Sequence, residues 1–284
     1  MAQALIDDWN GEDTSIAEIE RELGKLRDSS LLPGASNMRT SVMTHCAWVP
    51  RRWLDAAEQT LAGLADRHPS RTVILIPAPE EPDGLDAQLA VRCYPAGDRH
   101  VCGEVLELTL RGNRVEAPAS IVLPLLISDL PVFCRFRGEP PFGEAPWEQL
   151  VDIADRVIVD SGEWDELRYD ELRASFDTAA ISDIAWARLE PWRVLLAGRW
   201  PEIAEQEIRI AGPPADAALL RGWLASRLRR TIRPVAAADE LTVKLGGETV
   251  APPRGEVRSP SDLLSAELDH FARDRVYEEA VAAA

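Results

Sequence analysis

His45 and Cys46 set a base beside a nucleophile, the pairing that thiol catalysis uses. In a strand, however, neighbouring side chains point to opposite faces, so these two cannot form a dyad with each other. Asp160-Ser161-Gly162 and Ser128-Asp129 each follow an apolar run, and ligands of open α/β sheets collect at the carboxyl ends of parallel strands. Such a turn could hold a phosphosugar or a nucleotide through its hydroxyls and amides. Read without a ligand, the same residues are a turn and a helix cap. Arg221, Arg227, Arg229, Arg230 and Arg233 follow one another with no acid between Arg221 and Pro234. Helix C-termini welcome such charges, so a solvated helix end is the ordinary reading and an anion or acidic-partner site the alternative.

Trp186, Arg188, Trp192, Arg193 and Trp200 crowd into one short segment. Trp and Arg are the residue types most enriched at binding hot spots, so this segment is expected to contribute to a partner surface. The competing account packs the Trp rings between two domains. The four cysteines, Cys46, Cys93, Cys102 and Cys134, show no C-x-x-C spacing and no His at zinc-ligand distance, which argues against a structural metal. A hairpin turning at Gly97-Asp98 would pair 96 with 99 and so bring Cys93 opposite Cys102. That pair falls at a non-hydrogen-bonded position with Cα atoms about 4.5 Å apart, at the short end of what a disulfide tolerates. Such a bond would be readily reduced, the character of a regulatory disulfide. The alternative is two ordinary buried thiols, with Pro95, Arg99 and His100 imposing a bulge that shifts the register.

The motifs with strong catalytic specificity are missing: no G-x-G-x-x-G follows a strand, and no G-x-x-x-x-G-K-[ST], H-E-x-x-H or G-x-S-x-G occurs. No cofactor is implied. A formal net charge of −17 argues against nucleic acid or an anionic membrane as main partner, because both would repel the chain. No apolar run is long enough to span a bilayer, and the first residues lack the basic-then-apolar order of a signal peptide, so a cytoplasmic location is expected.

The elements that must position these residues read as α/β. Residues 121–137 form the organising stretch: Ile121 to Ile127 as a short buried helix, then Val132, Phe133, Cys134 and Phe136 as a central strand that needs cover on both faces. Residues 1–13 are acidic and unpatterned, and disorder is expected there. Ser15-x-x-Glu18 opens a helix with Ile16, Ile19, Leu23 and Leu26 on one stripe. A strand ending near Val49, a helix begun by Pro50 and the strand Arg71 to Ile76 make a βαβ unit and hence a parallel crossover. Leu85 to Tyr94 and Val101 to Arg111 form a hairpin, which makes the sheet mixed. Helix 146–154 feeds strand 156–160 and faintly repeats the first unit. Residues 181–200 read as helical, with Pro191 starting a second helix or kinking the first. Beyond Pro201 come strand 207–210, helix 216–230, strand 241–245, a closing helix 261–277 and a fraying alanine-rich tail. The expected organisation is a disordered 1–13, an α/β domain 14–200 with a mixed, mostly parallel sheet covered by helices, and a smaller α/β domain 201–284.

Several segments together resemble the glucose-6-phosphate dehydrogenase assembly protein family, OpcA. They are His68-Pro69-Ser70-Arg71-Thr72-Val73-Ile74-Leu75, Leu123 to Phe133, Asp155 to Ser161 and, most specifically, Asp183-Ile184-Ala185-Trp186-Ala187-Arg188-Leu189-Glu190-Pro191-Trp192-Arg193. The resemblance covers roughly residues 14–275 and implies a non-catalytic partner that binds glucose-6-phosphate dehydrogenase, aids its oligomeric assembly and activates it, with catalysis and NADP belonging to the dehydrogenase. Where aromatic residues are expected after the Pro-Val-Phe strand, this chain has Cys134-Arg135-Phe136-Arg137, so contacts made there in relatives can differ.

Overall fold

The computed structural model describes residues 5–29, 36–38, 41–64, 67–96, 99–233, 236–254 and 258–284. The chain divides into two compact units, Met1–Val157 and Ile158–Ala284, so the division falls before the Pro201 boundary read from the sequence.

In the first unit the elements follow as β1 (Leu5–Gly11), α1 (Ile16–Ser29), β2 (Ser36–Met38), β3 (Met43–Trp48), α2 (Leu54–Ala62), β4 (Ser70–Ala78), β5 (Gly84–Ala96), β6 (Arg99–Arg111), α3 (Pro118–Val122), β7 (Val132–Phe136) and α4 (Ala145–Ile153), and the division falls within β8 (Arg156–Val159). The strands order as β1-β5-β6-β4-β3-β7, with β2 also on β6. Pairing is parallel from β6 through β4 and β3 to β7, and antiparallel where β5 joins β6 and β1. The β3-α2-β4 crossover stands as expected, because two apolar runs flank a helix of the right period. Every residue of β3 and of β7 is buried, and helices supply the cover. On one face α2 lays Ala57, with Trp53, Leu54 and Leu61 beside it, over Ala47, Val49, Ile74 and Ile76. From α4, Trp147 packs 4.8 Å from the Phe136 ring and 4.7 Å from Phe142.

A buried ion triad ties α1 to this sheet. Glu104 on β6 accepts from Arg27 at 3.0 Å and from Arg71 on β4 at 2.7 Å, while Arg71 also donates to the Leu125 carbonyl. Burial opposes the charge on Glu104, but the Arg27 hydrogen bond and the charges of Arg71 and Arg27 outweigh it and hold its carboxyl below the usual range.

Two readings of this unit need correction. Residues 5–11 are not disordered: β1 pairs along β5 from Leu5 opposite Cys93 to Gly11 opposite Ala87, and its order comes from that tertiary pairing rather than from local pattern. Nor is Ile121 to Ile127 one buried helix. Helix α3 ends at Val122, a 3-10 turn follows, and Leu123 is 52% exposed at that turn, where Pro124 ends the α-helical ladder.

The second unit contains α5 (Tyr169–Ala174), β9 (Ala180–Asp183), α6 (Ile184–Arg188), α7 (Glu190–Ala197), β10 (Ile208–Gly212), α8 (Pro214–Leu228), β11 (Ala236–Ala237), β12 (Thr242–Leu245), β13 (Glu248–Thr249), α9 (Pro260–Leu268) and α10 (Arg275–Ala282). Its smaller sheet has the order β11-β10-β12-β13, with Ile208, Ile210, Val243 and Leu245 buried between outward-facing polar residues. Pro191 does start a second helix within 181–200, but residues 180–183 are strand, and Asp183 caps the helix after it. The closing helix is two helices. Ser259 and Asp262 form a reciprocal capping box on α9, and the Asp274 carboxylate begins α10 by accepting from the backbone of Val276 at 2.9 Å and Tyr277 at 3.1 Å. The alanine-rich tail does not fray at its start, since Ala280 and Val281 are buried.

Candidate functional site

The Asp160-Ser161-Gly162 turn and the tryptophan-arginine segment both lie in the second unit, and each is built around a buried polar group. Strand β8 delivers the chain to Asp160, whose carboxylate accepts the Gly162 N–H at 3.1 Å and caps a single 3-10 turn. Asp183, fully buried at the end of β9, gathers the next residues. Its Oδ1 accepts from the backbone N–H of Ser161 at 3.0 Å and of Ala185 at 2.8 Å. Its Oδ2 accepts from Ser161 Oγ at 2.6 Å and from Tyr277 Oη at 3.4 Å. Tyr169 Oη stands 3.1 Å from Ser161 Oγ. Burial, together with the charge of Asp160, pushes the Asp183 carboxyl up to about 7, against the pull of its own hydrogen bonds. Burial and the nearness of Asp183 likewise raise both tyrosines well above their ordinary value.

Arg188, at the end of α6, answers the other carboxylates. It grips Asp160 bidentately, at 3.1 and 3.2 Å, and reaches Asp216 on α8 at 3.4 Å. Partial burial opposes its charge, but Asp160 and Asp216 override that and raise its pKa. Gly162 makes room for this grip, since a Cβ there would stand 2.5 Å from Arg188 Nη2. The hydroxyl, amides and carboxylate that a phosphosugar would need are thus spent inside the protein.

The tryptophan-arginine segment divides in the same way. Trp186 is buried, donates its indole N–H to Asp274 at 2.9 Å and packs 5.7 Å from the Tyr277 ring. Arg193 lies over the Trp186 ring, 3.5 Å from its centroid, and donates to the Trp186 carbonyl at 2.9 Å. Burial lowers its pKa to about 10 against the charges of Asp274, Glu190 and Glu267. Trp192 is buried as well, whereas Trp200 is 63% exposed. Of the five residues expected at a partner surface, Trp186, Trp192 and Arg193 are packed into the second unit, Arg188 is ion-paired although its side chain is 37% exposed, and Trp200 alone of the three tryptophans stands out in solvent.

Several of the remaining arginines also find partners within the chain. Arg227 pairs with Glu279, Arg230 donates to the carbonyls of Ile203 and Gln206, Arg233 pairs with Glu207, and Arg229 closes α8 in a left-handed conformation. Asp129 is an exposed turn residue with φ +63°. His45 is buried and its pKa falls to about 3, through burial and then the charges of Arg135 and His68. Cys46, one residue on, stands in register with Cys134 on β7, and both are buried free thiols. Cys93 pairs in backbone register with Cys102 with no intervening bulge; the Cys93 side chain lies outside the described residues, while Cys102 is buried and disulfide-bonded. Among the described residues no group of His, Cys, Asp and Glu is placed to hold a metal ion, and no helix is long and apolar enough to cross a membrane.

Sequence reasoning missed Asp183 as the centre of the polar network. An Asp directly before Ile184 and a helical run is a cap signal, but nothing local ties it to Tyr169 or Tyr277.

The fold and these sites define a two-unit α/β protein that directs its buried polar chemistry at its own architecture. Residues 62–174 match the family model described as the glucose-6-phosphate dehydrogenase subunit N-terminal domain, and residues 179–281 match that of the C-terminal domain. Among curated relatives, the OxPP cycle protein OpcA of Nostoc punctiforme is 32% identical over 181 residues, covering 58% of this chain and 39% of the relative. Its counterpart from Synechocystis is 30% identical over 191 residues, covering 60% and 40%. This chain therefore belongs to the OpcA family. It spans less than half the length of the curated relatives it matches.

Proposed function

We propose that this chain is a non-catalytic regulatory subunit that binds glucose-6-phosphate dehydrogenase, promotes its oligomeric assembly and activates it in the oxidative pentose phosphate pathway. The observation that carries this reading is the match, in order, to both domains of a glucose-6-phosphate dehydrogenase subunit. Catalysis and NADP belong to the dehydrogenase, and the chain acts in the cytoplasm without a cofactor of its own. The net charge of −17 supports a protein partner over nucleic acid or an anionic membrane.

The rival reading, a phosphosugar- or nucleotide-binding protein using the Asp160-Ser161-Gly162 turn, loses support because Asp183 and Arg188 already occupy that turn's donors and acceptors. Mixing the chain with purified dehydrogenase, with elution volume and enzyme activity followed together, tests the proposal. Co-elution in a larger species with raised activity is expected; unchanged elution and activity overturn it. Calorimetric binding of glucose 6-phosphate or NADP to the chain alone would favour the rival.

A further inference from the structure

The side of α7 that faces solvent is apolar. Its buried side is anchored by Leu189, Trp192 and Leu196, with Ile203 beneath the turn that follows. On the outer side Pro191 and Ala197 are exposed, Val194 is 68% exposed and Trp200 is 63% exposed. No other large apolar side chain among the described residues is as exposed as these two. They lie six residues apart, Val194 on α7 and Trp200 in the turn three residues past its end, near enough in the chain to serve one hot-spot cluster. The turn carrying Trp200 is also held: its N–H donates to the Ala197 carbonyl at 3.1 Å, and the Ile203 N–H to Arg199 at 3.0 Å. A large aromatic ring presented on tied backbone loses little further freedom on binding.

The charges at the rim help to identify the occupant. Glu190, at the start of α7, is engaged by Arg258. Arg199, next to Trp200, is exposed, and no carboxylate among the described residues pairs with it. A second copy of the chain would bring another −17 to the encounter, and an anionic bilayer is repelled in the same way. We infer that Val194, Trp200 and Arg199 form the docking surface for the dehydrogenase, which presents an apolar recess with a carboxylate beside it. This inference rests on the function proposed above.

The test uses the full chain and purified glucose-6-phosphate dehydrogenase, with calorimetric binding, activation and thermal melting measured for Val194→Asp, Trp200→Ala and Arg199→Glu. The melting temperatures are expected to match the parent, since all three side chains are exposed. Binding is expected to weaken at least about tenfold for Val194→Asp and Trp200→Ala, in the manner of hot-spot truncations, and to lose part of its salt dependence for Arg199→Glu. If the parent chain binds and all three variants bind within twofold of it, the surface is wrong and the proposed function stands. If the parent chain itself does not bind, the proposed function fails. Sedimentation of the chain alone supplies the last outcome: self-association abolished by Val194→Asp, with dehydrogenase binding intact, would make the occupant a second copy and overturn the inference.

Discussion

Gly222 of α8 lies so close to α10 that a Cβ on it would stand 2.1 Å from the carbonyl oxygen of Ala280. The obstacle is backbone, which cannot rotate aside as a flexible side chain could. Gly222→Ala would gain roughly 1 kcal/mol of helix propensity, yet the two helices must separate to admit the methyl group. A net loss of about 1–3 kcal/mol is expected from this overpacking, read as a lower urea midpoint with unchanged slope. A variant as stable as the parent would mean that α10 is not seated as described.

Asp183 makes stability fall with rising pH. Its folded pKa, about 7, lies above its ordinary value of 3.8. Between those values the unfolded chain has released the proton while the folded chain keeps it, so stability declines by up to about 1.4 kcal/mol per pH unit across that window. Asp183→Asn keeps the shape and stays neutral, and its amide can donate to Ser161 Oγ and Tyr277 Oη. The variant's stability relative to the parent is therefore expected to increase from pH 4 to pH 7 and then level off. Parallel stability curves for the two proteins over that range would remove Asp183 as the cause.

Glu104 has the opposite sign. Its folded pKa is held below the ordinary 4.5, so its contribution is present above that value and lost as pH falls through the depressed one. Glu104→Gln strands Arg27 and Arg71, of which Arg71 is only 12% exposed in its side chain. Removing one partner of a buried ion pair costs about 3–5 kcal/mol. Chemical denaturation at pH 7 should show that loss, and the gap from the parent should narrow as pH falls through the depressed pKa of the parent's carboxyl.

These two carboxylates also mark how far the sequence can be read. The β3-α2-β4 crossover and the β5-β6 hairpin are legible because each rests on local signals: apolar runs, helical spacing and a turn between matched strands. β1 is not, since Asp7 and Asp8 look like a solvated tail until β5 supplies its partner. The same limit hides the Asp183 network, whose members at 160, 161, 169, 183 and 277 meet only through tertiary packing. The segment 186–200 stood out for its density of Trp and Arg, which reflects what Trp186, Arg188 and Arg193 do within the second unit. Hot-spot composition alone cannot separate a buried Trp from an exposed one, and only Trp200 of the three tryptophans in that stretch remains open.

The cysteines give the last prediction. Cys46 and Cys134, remote in sequence, face each other across β3 and β7 as buried thiols. The hydrogen bond that Cys134 makes to Cys46, and then burial, raise the Cys134 pKa well above its ordinary value, so Cys134 is not a ready nucleophile. Cys93 stands in backbone register with Cys102 across the antiparallel β5 and β6, in the hairpin whose turn lies outside the described residues, and Cys102 is disulfide-bonded. We propose that Cys93 and Cys102 are the redox pair of this chain. A thiol count on the folded, reduced protein before and after mild oxidant should lose two thiols, and Cys93→Ser should abolish that loss while leaving Cys46 and Cys134 untouched. Dehydrogenase activation measured on the same oxidised and reduced samples then reads whether the bond is regulatory. An unchanged count after oxidation, or a loss that persists in Cys93→Ser, rules the pair out.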